Sequence, residues 1–409
     1  MLFTRTLFFN IKKSGLALIV ASFPGLQKLA LITFIMKFYG SHAAGLYATL
    51  TALPIFISLF TGVGFGGKLL KILPGEPSLK QKNNFSRVAV ASVLYAFFSG
   101  VVFFVLSFLD IVQQPFIMFL YLLCITVVQL IRHYYLATLN YFSLFLFDVT
   151  QLALLTIPVF FISDINTYIV MSSLVVLVFS TFWYLKVIAL FSFSVVFLYD
   201  KETVQFSVNN ILSGGVLALM PLVLARFYGE AIVGEVFAII SFFSLFLLLP
   251  RAFSNYKIPV LVGLVKHKVT SFYIGATSFQ KQYVMLTVLC LFISFIVSFI
   301  AMYFKIANVL NITLIGTVEM LAIVLFVFSG SFGVVQGVIL FVLGKQKYNI
   351  YSNIIFFIVY FIFVVCAYQI QSVSISVFFI ISSLISFARL PYLFFYSKKA
   401  IQKTKELTC

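Results

Sequence analysis

Apolar runs of close to twenty residues recur along the whole chain, and short polar segments separate them. An α-helix of that length crosses the hydrocarbon core of a bilayer, which is about 30 Å thick. Helices satisfy their own backbone hydrogen bonds there, and such runs are too long for barrel strands. The pattern predicts an all-α polytopic membrane protein with about twelve transmembrane helices. The expected spans are residues 15–36, 45–65, 88–109, 116–137, 142–162, 167–190, 207–225, 234–254, 283–304, 313–341, 350–369 and 373–395.

A short motif divides these spans into two halves. Residues 37–40 read Lys-Phe-Tyr-Gly at the end of the first span, and residues 226–229 read Arg-Phe-Tyr-Gly at the end of the seventh. In both copies a second glycine, Gly45 or Gly234, follows five positions after the first. The shared spacing indicates an internal repeat. Six spans per half is an even number, so the repeat is parallel. We predict an N-terminal six-helix lobe over 1–190, a cytoplasmic or interfacial linker over 191–206, a C-terminal six-helix lobe over 207–396 and a basic cytoplasmic tail over 397–409.

Composition excludes a soluble protein, since 63% of the residues are hydrophobic and only 9% are charged. The net charge of +17 could suggest a nucleic-acid partner. The basic residues, however, lie in alternate loops, as the positive-inside rule describes. With a cytoplasmic N-terminus, 22 of the 27 basic residues fall in inner segments, and only Lys37, Arg226 and Lys305 fall outside. We therefore expect a multi-pass protein of the bacterial inner membrane, with both termini cytoplasmic and no nucleic-acid partner.

Other kinds of chemistry find little support. Gly62 and Gly67-Lys68 have the spacing of a phosphate-binding loop, but Leu69 stands where the magnesium-binding Ser or Thr belongs. A glycine-rich helix end that packs closely or flexes is the better interpretation. The four cysteines show neither a pairing pattern nor metal-ligand spacing. No loop is long enough to hold a soluble catalytic domain, so we expect neither a metal site nor an enzyme.

Charged residues inside spans carry more information, because each costs about 2.5–3.5 kcal/mol at the centre of a helix. Lys28 lies near the middle of span 1, and Asp148 and Glu319 lie about a third of the way into spans 5 and 10. A functional role and a helix–helix ion pair both remain open for the two carboxylates. Arg132 and Arg389 lie near inner span ends, where long side chains can reach the interface.

Helix breakers occur at corresponding places in the two halves, which is a pointer to a transporter's binding site. They are hinge candidates: Pro24 and Gly25 in span 1, and Gly214, Gly215 and Pro221 in span 7. In span 10, Gly330, Gly333 and Gly337 have the spacing that permits close helix approach.

These features together resemble a known family. They are the Phe-Tyr-Gly end of span 1, the Gly-Leu-Tyr-Ala sequence of residues 45–48, the glycine-rich end of span 2 and the repetition from residue 226. The chain resembles O-antigen (Wzx-type) flippases of the multidrug/oligosaccharidyl-lipid/polysaccharide (MOP) exporter superfamily. The resemblance implies that it flips an undecaprenyl-diphosphate-linked oligosaccharide across the inner membrane by alternating access, with spans 1 and 7 between two lobes.

The resemblance also implies roles for residues. Lys28 would pair with the substrate's diphosphate, and Lys37 and Arg226 would be further cations of the cavity. Asp148 or Glu319 would bind a coupling proton or sodium ion, with no other cofactor. The implied partners are the lipid-linked substrate, membrane lipids, a polysaccharide polymerase and a chain-length regulator. A drug or small-solute exporter of the same superfamily remains an alternative. An oligosaccharide polymerase or ligase is a weaker one, because the long loops are predicted to lie inside.

Overall fold

A computed structural model describes residues 2–74, 76–109, 112–187, 201–267, 269–304, 312–370 and 373–406. Over these ranges the chain forms helices and no strands. The helices are α1 (Leu2–Ser58), α2 (Phe65–Ile72), α3 (Ser78–Ser107), α4 (Pro115–Ala137), α5 (Tyr141–Thr156), α6 (Ile165–Val187), α7 (Lys201–Tyr228), α8 (Glu230–Ser244), α9 (Leu248–His267), α10 (Val269–Tyr303), α11 (Thr317–Ser329), α12 (Val334–Val342), α13 (Gln346–Ile370), α14 (Ile375–Ala388) and α15 (Leu390–Glu406).

The prediction of an all-α polytopic membrane protein is confirmed. Ten helical stretches in the described part of the chain are long and apolar enough to cross a membrane. One of them, Ser22–Leu70, holds both of the first two predicted spans, since helix continues on either side of a kink at Gly40. The eighth predicted span is divided between α8 and α9 and is not among the ten. Counting Ser22–Leu70 as two spans and adding the eighth span to the ten stretches gives the expected twelve.

The described residues form two compact units, Met1–Gly234 and Glu235–Cys409. The predicted lobes follow the internal repeat rather than packing, and they stay a prediction. Residues 191–200 of the predicted linker lie outside the described residues, whereas 201–206 begin α7. Of the predicted tail, 397–406 belong to α15 and 407–409 lie outside the described part, as does Lys305.

The first unit packs around α4, which contacts α1, α2, α3, α5 and α6. Its core is strongly aromatic, with Phe65, Phe85 and Phe147 fully buried. In the same unit α7 packs against α1 and α2. Large apolar side chains such as Phe98 and Phe182 remain exposed. Exposed apolar surface of this kind suits contact with lipid rather than with water.

In the second unit α10 lies against α9 and α11, and α11 lies against α14. Phe272, Phe279 and Val335 are buried in its core. A 3₁₀ turn over Gly330–Gly333 separates α11 from α12 and interrupts the predicted tenth span at its middle. The backbone oxygen of Gly330 in this turn accepts a hydrogen bond from the side chain of Arg389.

Candidate functional site

The glycine of each Phe-Tyr-Gly copy has a positive φ angle. Gly40 has φ 87° and Gly229 has φ 81°, and a Cβ at either position would have open space around it. The left-handed region strongly favours glycine, because a Cβ would approach the following carbonyl oxygen. Both motif glycines are thus required for their backbone angles rather than for packing.

The second glycines serve close contact instead. A Cβ at Gly45 would overlap the backbone oxygen of Glu230, and a Cβ at Gly234 would overlap that of Ser41. Ser41 and Glu230 are 189 residues apart, as are Gly45 and Gly234. The two contacts are therefore equivalent. The second glycine of each motif copy packs against the backbone of the other copy. His42 lies beside this crossing, with its Nε2 3.3 Å from a carboxylate oxygen of Glu230.

The glycine-rich end of span 2 also serves packing, as expected. A π-helical turn over Leu59–Gly64 joins α1 to α2. Beyond it, a Cβ at Gly66 would meet the ring of His133 on α4, and one at Gly67 would overlap Phe206 on α7. A methyl group on Gly64 would overlap Ser207, also on α7. This segment is a helix junction whose glycines pack against α4 and α7.

A buried ion pair joins α4 to α5 in the first unit. Arg132 donates from Nη1 to Oδ1 of Asp148, and its Nη2 donates to the backbone oxygen of Val20 at 3.3 Å. Gln27 of α1 donates to the backbone oxygen of Asp148 at 2.8 Å. The expectation that Arg132 reaches the inner interface is wrong, because its side chain turns inward to the carboxylate. The second carboxylate oxygen of Asp148, Oδ2, is buried and accepts no hydrogen bond.

The other predicted residues of α1 and α7 lie at varied depths. Lys28 is half-buried beside Gln27, and Pro24 lies within α1 without ending it. Gly25 is half-buried. Lys37 is exposed at the kink end of α1. In α7, Arg226 is likewise exposed, Gly215 and Pro221 are buried, and a Cβ at Gly214 would lie 3.1 Å from Leu59.

Glu319 lies closer to a helix end than the sequence predicts. α11 begins at Thr317, so Glu319 occupies its first turn and is half-buried. The amino end of a helix dipole stabilises a carboxylate in this position. Its placement in the first turn therefore has a local structural explanation, and the coupling role stays a prediction.

Arg389 is half-buried in the second unit, and its guanidinium turns towards neutral groups of neighbouring helices. Its Nη1 donates to Oδ1 of Asn353 and its Nη2 to the backbone oxygen of Gly330, both at 3.0 Å. The guanidinium carbon lies 5.0 Å from the ring centroid of Phe356. No carboxylate among the described residues pairs with Arg389, so its charge is met only by neutral groups.

The sequence analysis does not single out Glu235, which is fully buried. Its carboxylate accepts backbone N–H bonds from Thr313 at 2.9 Å, Leu314 at 2.8 Å and Ile315 at 3.1 Å. These bonds tie α8 to the segment that leads into α11. The available signal was an acidic residue directly after Gly234 at the start of a predicted span.

Solved structures show which fold this is. An inward-facing multidrug resistance MATE family transporter of the MOP superfamily matches with a TM-score of 0.66 and 14% identity, over 94% of this chain and 96% of that one. The outward-facing conformation of such a transporter matches at 0.64 and 15%, over 97% and 96%. The fold is that of MOP-superfamily transporters.

A third match adds information about the range of this fold. A MOP superfamily transporter from Pyrococcus furiosus, described as having a binding pocket of reversed polarity that suggests a different function, matches at 0.64 and 14% identity over 97% and 96%. No family model matches the chain, and no curated protein is similar to it in sequence. At these identities the comparisons establish the fold.

Proposed function

We propose that this chain is an exporter that moves its substrate across a bacterial inner membrane by alternating access. The observation that carries the proposal is the likeness to inward-facing and outward-facing MOP transporters over 94% and 97% of the chain. Charged side chains inside the spans support it, because such residues mark substrate and ion pathways. Both termini are proposed to be cytoplasmic, from the distribution of basic residues.

Export of a drug or another small solute is the first candidate for the activity. Two of the matched structures are multidrug resistance transporters. Large apolar side chains are exposed on the described helices, as expected for a protein that works within the membrane. Lys28 is half-buried and α1 is kinked. Both features suit a substrate pathway that opens first to one side of the membrane and then to the other.

Flipping of a lipid-linked oligosaccharide is the second candidate, and cations within the predicted spans favour it. Arg389 carries a charge that no described carboxylate neutralises. A cation inside a span needs an anionic partner, and a diphosphate can supply one. Independently of Arg389, Lys28 is proposed to contact the substrate's diphosphate, with Lys37 and Arg226 as further cations of the first unit along the path. A polymerase and a chain-length regulator would then be the partner proteins.

Coupling to an ion gradient is part of both candidates. Asp148 and Glu319 are the proposed sites for a proton or sodium ion. Asp148 has one carboxylate oxygen without a hydrogen-bond partner, which is where a proton or cation would bind. Its pairing with Arg132 means that coupling there requires the ion pair to rearrange.

Transport by the purified protein in liposomes tests the proposal. One set of liposomes contains a fluorescent cationic dye, and another contains a fluorescent prenyl-diphosphate-linked sugar, each with an imposed proton or sodium gradient. Gradient-dependent movement of the dye supports small-solute export, and movement of the lipid-linked sugar supports flipping. If well-folded protein moves neither substrate under any gradient, the exporter proposal fails.

A further inference from the structure

A stack of tyrosine rings joins α13 to α15 in the second unit. The ring centroid of Tyr348 on α13 lies 4.3 Å from that of Tyr396 on α15, with 19° between the ring planes. The ring of Tyr392, one turn earlier in α15, lies 4.5 Å from the same Tyr396 ring. All three side chains are half-buried, so the stack reaches the surface of the unit. It holds the first turn of α13 beside α15.

Lysines flank the stacked tyrosines on both segments of the chain. The ammonium of Lys347 lies 5.3 Å from the ring centroid of Tyr348. Lys399 comes three residues after Tyr396, and side chains at this spacing are neighbours on the surface of a helix. Two more lysines lie within two residues of these, namely Lys345 and Lys398. All four are exposed, and together they form the lysine cluster.

No carboxylate that the structure describes neutralises the lysine cluster. In the second unit, the acidic side chains that are described belong to Glu235 and Glu319. Glu235 accepts hydrogen bonds from the segment before α11, and Glu319 lies in the first turn of α11. Like charges gathered without a counter-ion repel one another, so an anion from outside the chain would stabilise this arrangement.

The lysine cluster begins where an apolar surface ends. On α15, Phe394 and Phe395 are 40% and 61% exposed, and they directly precede the cluster in the chain. In a protein that spans a bilayer, exposed apolar side chains contact acyl chains and lysines reach the headgroups. The positive-inside rule accounts for lysines at an inner span end, but not for a tyrosine stack that holds lysines of two segments together. A nucleic acid or an acidic protein would also attract the lysines, but neither accounts for the exposed phenylalanines.

We propose that the lysine cluster, held together by the tyrosine stack, binds the phosphate of an anionic phospholipid such as phosphatidylglycerol. Ammonium groups form charge-assisted hydrogen bonds with phosphate oxygens, and basic clusters at the membrane surface attract anionic lipids. The acyl chains of the lipid lie along Phe394 and Phe395. Bound lipid therefore connects α13 to α15. This binding does not rest on the proposed function, since it needs neither a transported substrate nor an ion gradient.

Thermal unfolding of the full-length protein in a neutral detergent tests the site. Short-chain phosphatidylglycerol is the probe, and phosphatidylcholine of the same chain length is the comparison. A ligand that binds the folded state raises Tm in a saturable way, and we expect this from phosphatidylglycerol alone. Lys347→Gln/Lys399→Gln should weaken the apparent affinity about twentyfold, which is about fivefold per lysine. Lys80→Gln/Arg87→Gln is the matched control, because it removes two exposed positive charges from α3 and should bind phosphatidylglycerol as wild type does.

Variants of Tyr396 test the stack separately from the charges. Tyr396→Leu keeps every lysine but removes the stacked ring, and it should weaken binding about fivefold, as the loss of one lysine would. Tyr396→Phe keeps the ring and should bind as wild type does. Wild-type affinity in Tyr396→Leu would overturn the role of the stack. The lysine variants decide the test if Tyr396→Leu fails to fold.

Three results would overturn the lipid site as a whole. An equal loss of affinity in the two charge-removing double variants would show a general attraction to positive charge. Equal responses to the two lipids, or no saturable rise in Tm, would show that the lysine cluster does not select an anionic headgroup. Orthophosphate is added at constant ionic strength as a further comparison. If it raises Tm as phosphatidylglycerol does, the occupant is a free anion and the lipid assignment fails.

Discussion

Gly45 and Gly234 occupy equivalent places in the two motif copies and face each other across one helix crossing. A Cβ at Gly234 would overlap the backbone oxygen of Ser41 and would lie 3.0 Å from the backbone nitrogen of Gly45. The obstruction is backbone, which cannot move aside as a side chain can. The close approach of α1 and α8 in the first unit therefore depends on both glycines.

Alanine at either position should destabilise the protein. We expect Gly45→Ala and Gly234→Ala each to cost about 1–3 kcal/mol, the range for overpacking a tight contact. The measurement is thermal unfolding of the purified protein in detergent. Gly214→Ala is the control, because the added methyl would meet only the flexible end of Leu59 at 3.1 Å. If all three variants unfold at the same temperature, the packing of α1 against α8 does not depend on Gly45 and Gly234.

The Arg132–Asp148 ion pair predicts a pattern among single and double variants. Asp148→Asn or Arg132→Gln alone leaves a buried charge without its partner, which typically costs about 3–5 kcal/mol. The double variant should be more stable than either single one, since contacting residues are not additive. The measurement is the unfolding temperature of all four proteins.

Transport by the same double variant separates structure from coupling. If Asp148 serves only the ion pair, the double variant should recover gradient-driven transport together with stability. If Asp148 binds the coupling ion, stability returns and transport does not. Glu319→Gln is tested in parallel, and normal transport by both carboxylate variants would remove both residues as coupling sites.

Lys28 should be required for movement of an anionic substrate. Its ammonium is expected to contact the phosphate groups, so Lys28→Ala and Lys28→Glu should stop transport of the lipid-linked sugar. Lys28→Arg keeps the charge and should retain part of the activity. Lys37→Ala removes the exposed lysine nine residues further along α1, and its effect beside that of Lys28→Ala shows which of the two proposed cations the substrate needs more. Full transport by Lys28→Ala, with normal amounts of protein in the membrane, would assign Lys28 a structural role.

Asp164 gives a prediction about acid stability outside the spans. The backbone N–H of Thr167 donates to Oδ2 of Asp164 at 2.7 Å, and this bond lowers the pKa of the carboxyl below its ordinary value. Because its pKa is lower in the folded state, ionised Asp164 stabilises the protein at pH values above its unfolded-state pKa, about 3.9. This stabilisation is lost as the pH falls through the folded-state pKa. Asp164→Asn can still accept the bond but cannot titrate. Its unfolding temperature should therefore depend less on pH between 5 and 3 than that of wild type, and parallel curves would contradict this.

The fold could be predicted because its signals are local. Apolar runs, their lengths and the positions of basic residues identify membrane helices without knowledge of contacts. The number of spans was also accessible, since Gly40 marks the kink between the first two within one long helical stretch. The repeat of residues 37–45 at 226–234 identified the glycines that meet at the crossing, although not which backbone atoms they meet.

The site was less accessible, because its partners are distant in the chain. Arg132 and Arg389 sit near predicted inner span ends, where an extended side chain would reach the interface. Whether the side chain extends to the interface depends on hydrogen-bond acceptors elsewhere in the chain. These are Asp148 for Arg132 and Asn353 for Arg389. Glu235 is bound by a segment 78 residues or more away, and no local pattern indicates that.

The π-helical turn at Leu59–Gly64 makes the fold sensitive to an insertion or deletion at this point of the chain. It holds more residues per turn than the helices on either side, and so sets the rotation of everything that follows. Deletion of one residue there would turn α2 by about 100° relative to α1. Gly66 would then leave His133, and Gly67 would leave Phe206, while bulkier side chains would face those neighbours. At this junction the number of residues therefore matters as well as their identity, because its glycines must stay opposite α4 and α7.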